Sequence, residues 1–212
     1  LGLFARFAGV RQDQISRFND QLELQIADKT RNLWNALESA RQAHETVLHM
    51  AHHDALTGLA NRSLLRQRID QAIARAHACG QQMALVFFDL DRFKSINDSL
   101  GHEAGDFLLR EVAGRLTRGV RGDDTVARLG GDEFVIVLAD LSHGQDAEPV
   151  MRKLLSAVGE PMTICNRQVI VTASVGVSVY PDHGETGDAL MRTADSAMYR
   201  VKESGRNGHQ VF

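Results

Sequence analysis

The run Gly130-Gly131-Asp132-Glu133-Phe134 stands between two apolar segments, Thr125-Val126-Ala127-Arg128-Leu129 and Phe134-Val135-Ile136-Val137-Leu138. Adjacent glycines supply the positive φ that tight hairpin turns demand, and the flanking residues are β-branched or bulky, as strands prefer. The spacing predicts a β-hairpin with two carboxylates on a short, stiff tip. A second acidic pair, Asp89 and Asp91, closes another strand-like run, Met83-Ala84-Leu85-Val86-Phe87-Phe88. Two such acidic strand ends set side by side would hold divalent metal over a phosphate, whereas an isolated Gly-Gly-Asp-Glu reads equally as a solvated turn.

Between Phe88 and Asp106 the chain is denser in polar groups than a purely structural helix requires. Asp89, at a strand end, offers a hard oxygen ligand, and the backbone carbonyl of Leu90 is its natural companion. Its partner would be Asp132, with Glu133 behind it. Two Mg²⁺ ions about 4 Å apart bridge attacking and leaving oxygens in phosphoryl chemistry, and such cations would also make the carboxylate cluster tolerable. Asn97 carries a donor and an acceptor, and ionised Asp106 is an acceptor only. Together they match the edge of guanine; singly, each reads as a helix cap or turn residue. Lys94, Lys202 and Arg206 are of the type that neutralises β- and γ-phosphates, although a solvated surface role is the default for any one of them.

Arg121-Gly122-Asp123-Asp124 ends six residues before the hairpin turn. At about 3.3 Å per residue, Asp124 lies on the order of 20 Å from Gly130, at the strand's opposite end and in a different pocket. By residue type alone, Arg121 and Asp124 read as a surface ion pair.

The elements that position these groups follow from composition and periodicity. Residues 11–52 contain no proline and no glycine and are rich in Gln, Glu, Arg, Ala and Leu, which predicts one long helix. Asn19, Ile26, Leu33, Ala40 and Val47 form one heptad position, and Ile15, Leu22, Lys29, Ala36, Ala43 and Met50 the other. The seam is sustained but thin, interrupted by Asn19 and Lys29, and its leading reading is a two-stranded coiled coil. The alternative is a single amphipathic helix lying on its own domain. Asp54 to Arg62 reads as a capped turn, 63–78 as helix, 83–89 as a buried strand, and 91–118 as helix interrupted at Gly101 and Gly105. After the hairpin come a helix over 145–158, a short strand or hairpin over 161–167, a central strand over 169–180, a helix over 187–203, and a closing strand at Gln210-Val211-Phe212. Strands and helices alternate around one hairpin.

Composition narrows the classes. Apolar content of 43% and charged content of 24% are those of an ordinary soluble protein. With 24 basic against 27 acidic residues, no global field favours nucleic acid or an anionic membrane, so any phosphate binding is local. Cys79 and Cys165 have neither metal-ligand spacing nor the density of a disulfide framework, which reads as a reducing, cytosolic compartment. No run approaches the roughly 20 apolar residues of a membrane span, and no signal peptide is evident. The opening Leu1-Gly2-Leu3-Phe4 lacks an initiator Met. The expectation is therefore a piece of a longer protein, with an upstream sensory domain missing and the membrane tethering of the whole left open.

Five ordered segments carry a resemblance. Asp54-Ala-Leu-Thr-Gly-Leu-Ala-Asn-Arg62, Phe88-Asp-Leu-Asp-Arg-Phe-Lys-Ser-Ile-Asn97, Gly101-His-Glu-Ala-Gly-Asp106, Arg128-Leu-Gly-Gly-Asp-Glu-Phe134 and Gly205-Arg-Asn207 resemble, in order and spacing, the motifs of GGDEF-domain diguanylate cyclases. The resemblance covers residues 50 to 212. It implies an α/β (α+β) palm-like domain similar to nucleotidyl cyclases, with a central antiparallel-mixed sheet flanked by helices. Residues 51–212 would be that domain, and residues 1–50 a signalling helix and coiled coil before it. It also implies condensation of two GTP into cyclic di-GMP with release of pyrophosphate, by a homodimer using two Mg²⁺ per active site, with Mn²⁺ as a substitute.

By position, Asp89, the Leu90 carbonyl, Asp132 and Glu133 would bind metal. Asn97, His102 and Asp106 would bind the nucleotide, chiefly its guanine. Lys94 would stabilise charge on the reacting phosphates, and Lys202 and Arg206 would hold the phosphate tail. Asp132 would accept the proton of the attacking 3′-hydroxyl, and Arg121 and Asp124 would form an inhibitory site for the product. The signature's Asp132 is the family's alternative to Glu, and Arg200 replaces a frequent Ala without expected consequence. The rival readings are a catalytically silent domain sensing cyclic di-GMP or GTP, and a scaffold for an EAL-type phosphodiesterase domain. No nucleic-acid partner is implied.

Overall fold

The computed structural model describes the backbone of residues 2–212 and the side chains of residues 22, 24–26, 28–43 and 46–212. It comprises two compact units, residues 1–49 and 50–212. The first lies within helix α1 (Gly2–His52), which ends with the predicted helix but begins nine residues before it and runs through Gly9. Of the predicted seam, Leu22, Ile26, Leu33, Val47 and Met50 are exposed, as are Trp34 and Leu37 beside it. Ile15 and Asn19 fall outside the described side chains.

The second unit is built on a strand with no polar face. In β1 (Gln82–Leu90) the residues from Met83 onward are all buried, so both faces must be covered. Its even-numbered residues, Ala84 to Leu90, join one core with α4 (His102–Gly119) and α5 (Ala147–Val158). Its odd-numbered residues, Met83, Leu85 and Phe87, join a second core with α2 (Arg62–Cys79) and α6 (Gly187–Glu203). The period of two thus sorts the helices to opposite sides. β1 pairs antiparallel with β3 (Glu133–Leu141) on one edge and with β6 (Ala173–Tyr180) on the other. β2 (Thr125–Gly130) and β7 (Gly208–Val211) complete the order β2-β3-β1-β6-β7, and β7 alone runs parallel to its neighbour. This is the expected mixed, mainly antiparallel sheet flanked by helices.

Several boundaries differ from the sequence reading. The helical stretch after β1 breaks once, at Gly101, into α3 (Phe93–Leu100) and α4; Gly105 lies inside α4 rather than interrupting it. Its lack of a side chain serves packing, because a Cβ there would collide with Oδ1 of Asn97 and crowd the ring of Phe93. The segment 161–169 forms a separate two-stranded ribbon, β4 (Met162–Ile164) with β5 (Arg167–Val169), and the central strand begins only at Ala173. A second close approach sets α6: at Gly176 in β6 any Cβ would strike the Ala194 carbonyl and the Met198 amide. That contact presses the helix onto the strand and fixes the height of the residues it carries over the sheet end.

Candidate active site

The hairpin forms as the glycines require, with Gly130 at φ 145° and Gly131 at φ 53°. Its turn is held from outside. Arg128 donates through Nε and Nη2 to the Gly131 carbonyl, at 3.0 and 2.8 Å, and through Nη1 to both oxygens of Asp54, at 2.9 and 3.0 Å. Asp54 Oδ1 also accepts from the amide and hydroxyl of Thr57, at 2.9 and 2.6 Å. Burial raises the Asp54 pKa, but the bonds from Thr57 and Arg128 outweigh it and hold the carboxyl below its ordinary value. The segment carrying Asp54 is itself tied to β2, since Ala60 N donates to the Val126 carbonyl and Arg128 N to the Ala60 carbonyl, at 3.3 and 2.9 Å.

Strand register delivers the acids to one place. Asp89 lies directly opposite Glu133 in the β1/β3 pair, and the Leu90 amide donates to the Asp132 carbonyl at 3.4 Å. Asp89 and Glu133 both have odd numbers and so point to the face covered by α2 and α6. There Lys202 of α6 places its Nζ 2.7 Å from Asp89 Oδ2. Burial pushes the Asp89 carboxyl up; the Lys202 hydrogen bond opposes this, while the charges of Asp132 and Asp91 add to it, and the net shift is upward. Glu133 is also raised, first by burial and then by Asp89, Asp132 and Asp195.

Among the described residues no three acidic, His or Cys groups already close on a point as a metal cage. The ammonium of Lys202 instead compensates Asp89. The donor set of carboxylates and one carbonyl is nonetheless hard oxygen, which suits Mg²⁺, and a divalent ion would relieve the repulsion that raises both pKa values.

Asp91 does not belong to the metal-facing group, which corrects its pairing with Asp89. Its oxygens accept from Thr172 Oγ1 and Ser174 Oγ, both at 2.7 Å, and from the Asn207 amide at 3.1 Å, and its own amide donates to the Thr172 carbonyl. With these bonds made, the carboxylate anchors the end of β1 to β6 and to the turn after α6.

The predicted base readers sit at the α3–α4 junction. Asn97 is half-buried in α3 beside Gly105, and its Oδ1 is a buried polar atom without a hydrogen-bond partner. His102 opens α4, exposed, and half-buried Asp106 follows one turn later. Lys94 is exposed in the first turn of α3, and Arg206 is exposed at φ 66° in the turn after α6.

Arg121 and Asp124 lie just before β2, at the end away from the hairpin tip. They are not the ion pair that residue type suggested: Asp124 Oδ2 accepts from the Arg121 backbone amide at 2.9 Å, and Oδ1 from the Ala139 amide at 3.2 Å.

Asp195 escaped the sequence reading. It lies seven residues before Lys202, two turns along the same face of α6, and that spacing was the available signal. Residue type alone does not pair Arg128 with Asp54, 74 positions earlier, and that clamp forms only in the fold.

The family described as diguanylate cyclase, GGDEF domain, matches residues 51–208. The bifunctional diguanylate cyclase/cyclic di-GMP phosphodiesterase MucR of Pseudomonas aeruginosa is 44% identical over 174 residues, 82% of this chain and 25% of MucR. The chain thus spans about a quarter of that relative. A solved structure of the GGDEF domain alone of PA1120 (TpbB or YfiN) from Pseudomonas aeruginosa has TM-score 0.74 and 40% identity, covering 76% of this chain and 94% of that one. The coiled coil and GGDEF domain of DgcB from Caulobacter crescentus, in complex with c-di-GMP, has TM-score 0.78 and 30% identity, covering 90% and 99%. Acids on a glycine hairpin beside a strand end, the antiparallel core sheet and the family match over three quarters of the chain agree: residues 51–208 are a GGDEF domain, and the chain belongs to the diguanylate cyclase family.

Proposed function

We propose that this chain is an active diguanylate cyclase that condenses two GTP into cyclic di-GMP and two pyrophosphates, each 3′-hydroxyl attacking the other nucleotide's α-phosphate. The observation that carries the reading is the convergence of Asp89 and Glu133 across β1 and β3, with Asp132 at the adjoining turn and Lys202 against Asp89. Asp89, the Leu90 carbonyl, Asp132 and Glu133 would hold Mg²⁺ or Mn²⁺, which when bound supplies charge neutralisation of the phosphates and a lowered hydroxyl pKa. Asp132 takes the hydroxyl proton. Lys94, Lys202 and Arg206 bind the phosphate oxygens and orient the tail. Asn97 and Asp106, with His102 beside them, bind guanine from the junction of α3 and α4.

One domain holds one GTP and the product has two-fold symmetry, so two domains must face each other. A parallel coiled coil of α1 raises their effective concentration and couples them to an upstream signal. Product bound at Arg121 and Asp124 ties domains together and keeps the two active sites from meeting, as feedback. In that role Arg121 supplies the free fork, because the Asp124 carboxylate is already engaged by two backbone amides.

The test is incubation of the chain with GTP and Mg²⁺ at several protein concentrations, with products identified by mass. Cyclic di-GMP formed at a specific activity that rises with protein concentration is expected, as is its loss when Asp89 and Asp132 are both replaced by alanine. Unchanged turnover in that double variant would refute the assigned site, and a wild-type chain that formed no cyclic di-GMP would leave a sensing module. Removal of residues 1–48 should abolish the activity at low protein concentration. Arg121→Ala should relieve inhibition by added product.

A further inference from the structure

A cleft of about 980 Å³ lies between the first halves of α2 and α6, with Leu129 of β2 at its side. Its size is that of a small-molecule site, and none of the residues assigned above to metal or nucleotide lines it. Three observations define what it would hold. First, its floor is aliphatic. Leu65 and Ile69 are buried there, while Leu129 and Met191 pack against the second core and stay partly exposed. No aromatic ring is in the lining, so the cleft offers no stacking platform for a nucleobase. Second, three arginines and two aspartates line it, a surplus of one positive charge. Arg66 meets Asp188 from helix to helix at 3.0 Å, whereas Arg62 and Arg192 are exposed and form no ion pair among the described residues. Asp70, the remaining acid, opposes any ligand of higher negative charge. Third, the two helices already touch: a Cβ on Gly187 would stand 2.9 Å from Cγ2 of Ile69. That contact sets the width of the cleft before any ligand arrives.

We infer that this cleft binds a monoanion with an aliphatic body, of the medium-chain fatty carboxylate kind, its chain on Leu65, Ile69, Leu129 and Met191 and its carboxylate on Arg62 and Arg192. Guanidinium forks match a carboxylate, and covering the partly exposed Leu129 and Met191 supplies the apolar gain. Leu129 directly precedes Gly130 of the hairpin. An occupant that packs on it therefore acts on the turn bearing Asp132 and Glu133, which makes the cleft a regulatory site separate from the nucleotide.

The probe is decanoate, titrated below its micelle concentration into the chain and followed by amide chemical shifts, with the neutral decanol as its control. Shifts at Leu129, Gly130 and Met191 are expected, and decanoate should bind more tightly than decanol. Replacing both Arg62 and Arg192 with glutamine should weaken decanoate by about tenfold or more and leave decanol unchanged. The melting temperature of that double variant should match the wild type, because both side chains are exposed and unpaired. Met191→Trp fills the cleft and should abolish binding of both probes. Equal affinity for decanoate and decanol, decanoate binding unchanged in the double variant, or shifts confined to other parts of the domain overturns the site. Sedimentation of the same samples tests the other occupant: decanoate binding that weakens as the chain self-associates would give this face to a second copy and overturn the inference. The measurement needs no turnover, so a chain that made no cyclic di-GMP would sink the proposed function and leave this inference standing.

Discussion

Arg128 grips both carboxylate oxygens of Asp54, 74 residues earlier in the chain, with one guanidinium nitrogen while its other two nitrogens bind the carbonyl of Gly131. The hairpin that bears Asp132 and Glu133 is thereby braced against the loop that follows α1. With side chains 10% and 21% exposed, the pair is well shielded from water.

Replacing Arg128 with alanine leaves a shielded carboxylate and a turn carbonyl unpaired, and should cost about 3 kcal/mol of stability. It should also lower turnover more than tenfold by loosening the turn. Denaturant titration and a cyclic di-GMP assay check the two effects separately. The pH dependence follows from the depressed Asp54 pKa. The stability this group contributes is present above the unfolded aspartate pKa and is lost as pH falls through the lower folded value. Asp54→Asn should therefore be less stable at neutral pH and should lose less on acidification, as melting temperatures across pH would record.

Gly105→Ala places a methyl group on Oδ1 of Asn97 and against Phe93. The side chain of Asn97 must move, at a cost of about 1–3 kcal/mol. Guanine recognition should suffer more than phosphate binding, so preference for GTP over ATP, measured by calorimetry, should fall about tenfold or more. A variant that lost stability but kept its base preference would remove Asn97 from base reading.

Glu133 and Asp89 carry raised pKa values, so the sign of their linkage is opposite to that of Asp54. In the metal-free chain the folded state holds these protons more tightly than the unfolded state, and stability falls as pH rises from the unfolded carboxylate pKa through the folded one. Glu133→Gln should raise the metal-free melting temperature at neutral pH. Added Mg²⁺ should raise the melting temperature of the wild type more than that of the variant. Equal gains in the two would exclude Glu133 from cation binding.

Arg115 is 8% exposed, and its guanidinium donates to the carbonyls of Ala157, Val158, Glu160 and Pro161 and to Glu111. It satisfies the end of α5 from α4. Arg115→Met keeps much of the packing but strands those acceptors, and should cost about 2–4 kcal/mol. That corresponds to a fall in melting temperature of roughly 5–15 °C. Specific activity at low temperature should be unchanged, because Arg115 lies far along α4 from the nucleotide-reading turn.

The hairpin, the buried strand before Asp89 and the helices were legible in the residues because their causes are local. Paired glycines dictate the turn, a continuous apolar run dictates a strand covered on both faces, and the absence of glycine and proline from residues 11–52 dictates a long helix. The motif spacing likewise identified the family. What the residues alone left undecided was how identical groups divide their labour. Asp89 and Asp91 stand two apart at one strand end, yet Asp89 meets Lys202 and the hairpin acids, while Asp91 is consumed by Thr172, Ser174 and Asn207, 81, 83 and 116 residues away. Asp124 similarly spends its oxygens on backbone amides instead of a guanidinium. Hydrogen-bond partners supplied by distant segments decide whether a carboxylate is structural or open to a cation, and only the tertiary fold brings those segments together.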